Sequence, residues 1–371
     1  MAERILIVGG GIAGLTLNRA LGDGPYHVEL IESYAGRDRP GAAIAVQPNA
    51  MRVLNCLGVS DAVERAGSII SRLGYRDQDG ALLCEIDLDD LWSGVGSFVG
   101  ITRTALHDAL LWRPERCRFG TVAMSVRELD GHVSVSLGDG TSADYDLVVG
   151  ADGINSEIRR TAVDAGKPCF AGQMAWRSVA RVRPDGLDGV QFWLGEDRFF
   201  GLFPAGNSIT YGVGNVTSER VREPVSARKN RLLELFAAFG PPVQQYLAAI
   251  GGDGDIHCSP IEWLPAPAWH STRIVLIGDA AHAMSPMMGQ GGCMAIEDAL
   301  VLAEELRSAG DIPAALAAYE KRRGPRVEWV REQSRALTEL VRQPPIVRNT
   351  ALRERGSSGF HDRFRPLAAA A

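Results

Sequence analysis

Three groups of residues in this chain have types and spacing suited to holding a phosphorylated ligand. The first is Gly9-x-Gly11-x-x-Gly14. In such a pattern the first glycine permits a tight turn, the second lets a pyrophosphate approach the backbone, and the third allows close helix–strand packing. The second group is Val149-Gly-Ala-Asp152-Gly153-Ile-Asn-Ser156, and the third is Gly278-Asp279-Ala-Ala-His282 followed by Pro286 and Gly289-Gln-Gly291-Gly292. Glycine makes up 42 of the 371 residues, above the usual roughly 7%. The surplus gathers in these turns, where a backbone must come close to something.

The flanking elements place these groups on one scaffold. Arg4–Val8 reads as a short apolar strand, 15–21 has helical spacing, and His27–Glu32 reads as a second strand. That is a β-turn-α-β unit and implies a parallel sheet. Glu32 follows Gly14 by 18 residues, close to the roughly 20 expected of an acid that binds ribose hydroxyls. Residues 146–150 and 273–277 read as further buried parallel strands, the latter followed by a long helix from about 291 to 306. A strand, an acid, a glycine turn and a helix bind one end of a ligand. Two such arrangements on one sheet suit a ligand with two ends and a long middle, which points to FAD rather than NAD.

Between these parallel segments the pattern changes. Strands are predicted at 174–182, 190–194, 199–203 and 209–216, punctuated by Gly and Pro. The fold class is therefore α/β: a Rossmann-type, parallel-sheet FAD-binding domain (1–71, 98–170 and 272–325) interleaved with a mostly antiparallel substrate domain (72–97 and 171–271). A C-terminal helix and tail (326–371) completes the chain, and after Pro344-Pro345 the tail is expected to be partly disordered.

Composition narrows the function classes. The chain is 46% apolar and 23% charged with net charge −6, which argues against a fibrous or disordered protein and a nucleic-acid binder. From Lys321 onward 12 Lys/Arg face 5 Asp/Glu, leaving a net +7 there and −13 before it; a solvated helix face is the expected reading. The six cysteines show neither CxxC nor metal-ligand spacing and read as reduced thiols of a cytoplasmic protein, with no metal. The start of the chain shows no signal-type segment. His282 reads as a hydrogen-bonded structural residue rather than a base.

The three motifs, in this order and spacing, resemble the single-component FAD-dependent aromatic hydroxylases of the 4-hydroxybenzoate hydroxylase type, from Gly9 to about Arg335. Gln290-Gly-Gly-Cys-Met-Ala-Ile-Glu-Asp-Ala299 looks especially like the members acting on quinolones, purines and pyridine acids. The resemblance implies that Gly9, Gly11 and Gly14 hold the ADP pyrophosphate and Glu32 the adenosine ribose, with Gly278-Asp279 on the ribityl or pyrophosphate part. Asp152-Gly153 would serve FAD and the nicotinamide cofactor, Arg103 the flavin, and Gly41-Ala-Ala43-Ile44 with Pro48-Asn49 the mobile ring. Pro286, Gly289, Gly291 and Gly292 would line the flavin's reactive edge, so that no side chain is itself catalytic.

By the same resemblance NAD(P)H reduces the flavin, O₂ forms a C4a-hydroperoxide, and its distal oxygen attacks an electron-rich ring. Arg177, Trp193, Phe199, Phe200, Tyr211 and Met287 are the candidate substrate contacts. Strand parity decides which of them face the pocket, and the sequence leaves that open. Met287-Met288 and Phe199-Phe200 stand where members acting on small acidic rings carry charge, so the expected substrate is a largely apolar aromatic or N-heteroaromatic. The expected partners are that substrate, O₂ and NAD(P)H, with the chain a monomer or homodimer. Epoxidation, Baeyer–Villiger oxidation, oxidase chemistry and a non-catalytic flavoprotein remain alternatives.

Overall fold

The structure, a computed structural model, describes residues 2–36, 43–163, 166–265 and 268–371. Its first sheet is wholly parallel, with strands in the order Ile274–Leu276, Leu147–Gly150, Arg4–Val8, His27–Glu32 and Cys117–Phe119. Apolar runs such as Ile5–Ile7 and Leu147–Val149 are buried, as a sheet covered on both faces requires. Register then determines where the motifs emerge. Val8 pairs with Gly150, and Gly150 with Leu276. The turns that follow these three strands therefore leave the sheet side by side at its carboxyl edge, where open α/β sheets bind ligands.

Two glycines in the first turn are required by sterics. Gly9 has φ +115°, and a Cβ there would lie 2.3 Å from the Ala151 carbonyl oxygen. A Cβ on Gly14 would lie 1.9 Å from the Gly9 oxygen, so the helix Ile12–Leu21 can start hard against the strand.

The second sheet has seven strands, in the order His257–Trp263, Cys169–Ala180, Thr210–Thr217, Arg198–Pro204, Val190–Leu194, Arg72–Asp77 and Leu82–Asp87. The weakly periodic stretch after residue 72 thus supplies its far edge. Alternation gives this sheet two distinct faces. Trp176, Trp193 and Phe200 face a core closed by Phe236 and Tyr246, from the segment holding helices Arg228–Leu235 and Pro241–Ala248. Gly212 and Gly214 make room for those rings: added Cβ atoms would meet Tyr246 at 2.3 Å and Phe236 at 2.5 Å. The opposite face carries Arg177, Val213, Gly201, Phe192 and Tyr75 in one row across the sheet.

The C-terminal part differs from the expectation. The helix Ile312–Arg342 is followed by another, Pro345–Phe364, instead of a partly disordered tail. Leu352, Phe360, Phe364 and Leu367 are buried, and that apolar contact orders a segment whose composition suggested none. Nor are its arginines only a solvated face. Arg323 and Arg348 are fully buried, and Arg348 donates to the Gly195 and Leu194 carbonyls. Among the described residues no helix is long and apolar enough to cross a membrane.

Gly212→Ala is expected to cost about 1–3 kcal/mol through overpacking against Tyr246 and to lower the Tm in calorimetry. An unchanged Tm would contradict the close packing of that ring on the sheet.

Candidate active site

One large cavity, of about 810 Å³, lies between the carboxyl edge of the parallel sheet and the open face of the seven-stranded sheet. Ligand pockets commonly span roughly 300–1,000 Å³. Gly9, Gly11, Glu32, Asp152, Gly153 and Asp279 line its nucleotide-like end, with Ala43, Arg103, Gly291 and Gly292 further along. Glu32 accepts hydrogen bonds from the backbone N–H of Gly10 and Tyr34, both at 2.8 Å. Its carboxylate is thereby held at the end of its strand.

Asp152 holds the turn that follows it. Its Oδ2 accepts from the N–H of Glu157 at 2.8 Å and of Ile158 at 3.2 Å. Burial raises its pKa, against the opposing hydrogen bonds from Ser156 and the backbone. Its Oδ1 is buried in the cavity wall with no hydrogen-bond partner. A buried acceptor without a partner costs about 1–3 kcal/mol, and a ligand hydroxyl or amide would satisfy it. A Cβ on Gly11 would meet nothing within 4 Å, so that backbone lies open to an incoming phosphate. The 18-residue helix Gly291–Ser308 also begins at this cavity. The residues present fit a dinucleotide such as FAD.

Three residues expected to touch the cofactor stand behind the wall. Gly14 packs on Gly9. Gly278 has φ +60° and donates its N–H to Asp298 Oδ2 at 3.0 Å. Asn49 is buried and donates to Glu297 Oε1 at 2.9 Å and Gln290 Oε1 at 3.1 Å. Gly41 and Ala42 lie outside the described residues.

Asn49 belongs to a buried network beneath the loop 286–292. Gln47 donates to the Met288 carbonyl at 2.7 Å, and Gln290 donates to Gln47 Oε1 at 2.8 Å and Asn49 Oδ1 at 3.1 Å. Below them Glu297 accepts from Arg323 at 2.7 Å and from Arg326 at 2.8 Å. Asp298 accepts from Arg323 Nε at 2.8 Å and pairs with His282 Nε2 at 2.6 Å. Burial alone would raise the Asp298 pKa, but His282 and Arg323 outweigh it and hold it at about 2. Glu297 is likewise held low by Arg323 and Arg326 against its burial. His282 is thus a hydrogen-bonded member of this buried network. Pro286 and Gly289 line the cavity above it, and Gly289 has φ +64°.

At the other end of the cavity strand parity decides the lining. Arg177, Phe199, Tyr211 and Met287 line it. Trp193 and Phe200, expected as substrate contacts, do not: they point to the opposite face and fill the core against Phe236 and Tyr246. Sequence reading missed Tyr75 and Phe192, which stack at 5.5 Å, with Phe199 edge-on to Phe192 at 5.9 Å. Phe192 shares the alternation of Val190 and Leu194, a signal that becomes useful only once one residue of the strand is placed. Arg177 donates to Ser259 Oγ at 2.8 Å. Burial pushes the Tyr211 phenol above its ordinary value, with Arg177 and Arg103 opposing, so its hydroxyl stays protonated at neutral pH.

The fold and site together define a flavoprotein of the Rossmann type with an aromatic-lined reaction chamber. The family model for the FAD binding domain matches residues 3–334. The chain is 33% identical over 321 residues to the aurachin C monooxygenase/isomerase of Stigmatella aurantiaca, covering 85% of this chain and 84% of the relative. It is 30% identical over 332 residues to the FAD-dependent urate hydroxylase of Klebsiella pneumoniae, covering 87% and 86%. The solved structure of Klebsiella pneumoniae HpxO complexed with FAD and uric acid superposes with a TM-score of 0.89 at 27% identity, covering 99% of this chain and 97% of that one. The chain belongs to the FAD-dependent aromatic hydroxylase family and is an FAD-dependent monooxygenase.

Asp298→Asn is expected to leave Arg323 under-compensated and to destabilise the fold by about 3–5 kcal/mol at pH 7. Because the folded pKa of Asp298 is depressed to about 2 from an ordinary 3.8, its contribution is complete above pH 4 and is lost as pH falls toward 2. The wild type should therefore lose more Tm than the variant across that window. Parallel slopes would contradict the assignment.

Burial also raises the Cys293 thiol to about 12, while Cys56 and Cys169 are exposed. In the native protein at pH 8, iodoacetamide should label Cys56 and Cys169 and spare Cys293. Prompt native-state labelling of Cys293 would mean that the packing under the loop is open.

Proposed function

We propose that this monooxygenase hydroxylates a largely apolar aromatic or N-heteroaromatic compound, taking electrons from NAD(P)H. The observation that carries the reading is the cavity face of the seven-stranded sheet. Tyr75, Phe192 and Phe199 form one aromatic cluster there, and Met287 lies on the cofactor side of the same chamber. Bound FAD would supply the activation of O₂. Gly9, Gly11, Glu32, Asp152 and Asp279 would hold its nucleotide part, with Arg103 and the 286–292 loop against its ring.

The chain's own residues then bind, orient and exclude water. The aromatic cluster presents flat apolar surface to a substrate ring, and offset or edge contacts between rings add about 0.5–1.5 kcal/mol to burial. Arg177 and the neutral Tyr211 hydroxyl sit at the polar corner, where they can hold a ring oxygen or nitrogen and set which carbon faces the loop. The apolar walls keep water from the reacting centre. No second GxGxxG is present for NAD(P)H, so the nicotinamide is proposed to visit the FAD domain transiently. The six free thiols suit a reducing compartment, and we place the enzyme in the cytoplasm.

A panel of phenols, naphthols and hydroxyquinolines should reveal compounds that stimulate NAD(P)H oxidation by the FAD-loaded protein and gain one oxygen by mass. Turnover of small anionic benzoates with every bicyclic compound inert would overturn the substrate class. Phe199→Arg is expected to lower kcat/KM for an apolar substrate about tenfold or more.

A further inference from the structure

The FAD-binding match ends at residue 334, yet the chamber does not. Phe360 and Phe364, on the helix Pro345–Phe364, line the same cavity and stack on each other with centroids 4.2 Å apart. Phe364 also meets Trp92 edge-on at 6.3 Å. The same helix places Leu352 in a buried cluster with Phe199 and Leu194, against which Tyr75, Phe192 and Met287 pack. Phe360 and Phe364 belong to the core against which Tyr75 and Phe192 also pack, and the charge of Arg363, beside Phe364 in the chain, acts on the Tyr75 phenol, which sets these aromatics at the substrate end.

The helix is fixed at its start, middle and end. At its start the fully buried Arg348 donates to the carbonyls of Gly195 at 2.6 Å and Leu194 at 3.2 Å, at the end of a cavity strand. In its middle a Cβ on Gly356 would lie 2.6 Å from the Cys84 sulfur, so only glycine lets the helix lie this close to the strand Leu82–Asp87. At its end Trp329 donates to the Arg363 carbonyl at 3.2 Å, and Arg326 donates to the Leu367 carbonyl at 2.9 Å. Arg326 also binds Glu297 of the loop network. A wall held in this way has a defined shape, and a defined apolar wall selects by size.

We propose that Phe360 and Phe364 are specificity-determining residues, which set how large an apolar aromatic the chamber admits. The claim rests on the aromatic-substrate reading above and adds that the size limit comes from the C-terminal helix, outside the family-wide domain. Removing either ring should enlarge the chamber toward bulkier substrates, and a larger ring there should narrow it.

The test compares FAD-loaded wild type with Phe360→Ala, Phe364→Ala and Phe360→Trp. Binding of phenol, 1-naphthol and 4-phenylphenol is titrated through the flavin absorbance spectrum, and turnover is measured alongside. The affinity ratio of 4-phenylphenol to phenol is expected to rise about tenfold in the alanine variants and to fall in the tryptophan variant, with FAD affinity within about twofold of wild type. Ratios unchanged in both directions, in variants that keep FAD, would overturn the proposal, as would a wild type that binds none of the three. Probes that bind with the predicted size rule but gain no oxygen would support the proposal while counting against the aromatic-hydroxylation reading. Should the alanine variants lose FAD, the tryptophan variant alone decides the matter.

Discussion

The arrangement of the reaction chamber depends on two adjacent carboxylates, Glu297 and Asp298, bridged by one buried arginine. Arg323 reaches both at 2.7 and 2.8 Å, and all three side chains are fully buried. Charges removed from water in this way cost several kcal/mol each unless geometry and hydrogen bonding compensate them. Here the compensation is extensive: Arg326, His282, Asn49 and the Gly278 N–H use the remaining oxygen lone pairs. Such a network is poor evidence for extra stability, but it admits few alternative arrangements. It ties the helix Gly291–Ser308 to the long helix that follows, and through Asn49, Gln290 and Gln47 it fixes the carbonyl of Met288.

That constraint links parts of the chain far apart in sequence. The turn after the strand Ile274–Leu276 is held through Gly278, the helix Pro48–Cys56 through Asn49, and the C-terminal strap through Arg326. The loop expected to face the flavin is thus set from below by charge and from the side by amide hydrogen bonds. The seven-stranded sheet contributes the opposite wall, where one face is committed to a closed core and the other is left to the ligand. On the proposed reading the polypeptide contributes a loop held by hydrogen bonds, an aromatic surface and the polar pair Arg177 and Tyr211.

Much of this was legible in the sequence, because it rests on local rules. Glycines forced by a backbone at 2.3 Å, apolar parallel strands and acids at strand ends follow from short-range spacing, and the three motifs do meet at one sheet edge. Parity in the second sheet was not legible. Trp193 and Phe199 look alike in sequence, and only the helices that supply Phe236 and Tyr246 decide which face is core. Asn49 and Gly278 matched a cofactor-contact pattern yet sit one layer back, since their partners, Glu297 and Asp298, come from a helix that begins 13 residues after Gly278 and 242 after Asn49. The C-terminal helix was hidden for a related reason. Its composition is that of a loose tail, and its order comes from tertiary burial of Leu352, Phe360 and Phe364 and from the buried guanidinium of Arg348.

The central claim is that this buried network, acting through Gln47, holds the loop in the shape that receives the flavin. The most direct measurement is the FAD dissociation constant of Gln47→Ala against wild type, followed by flavin fluorescence, with far-UV circular dichroism to verify the fold. Loss of the bond to the Met288 carbonyl should leave the fold intact and weaken FAD binding about tenfold. A folded variant that binds FAD as tightly as the wild type would contradict the account.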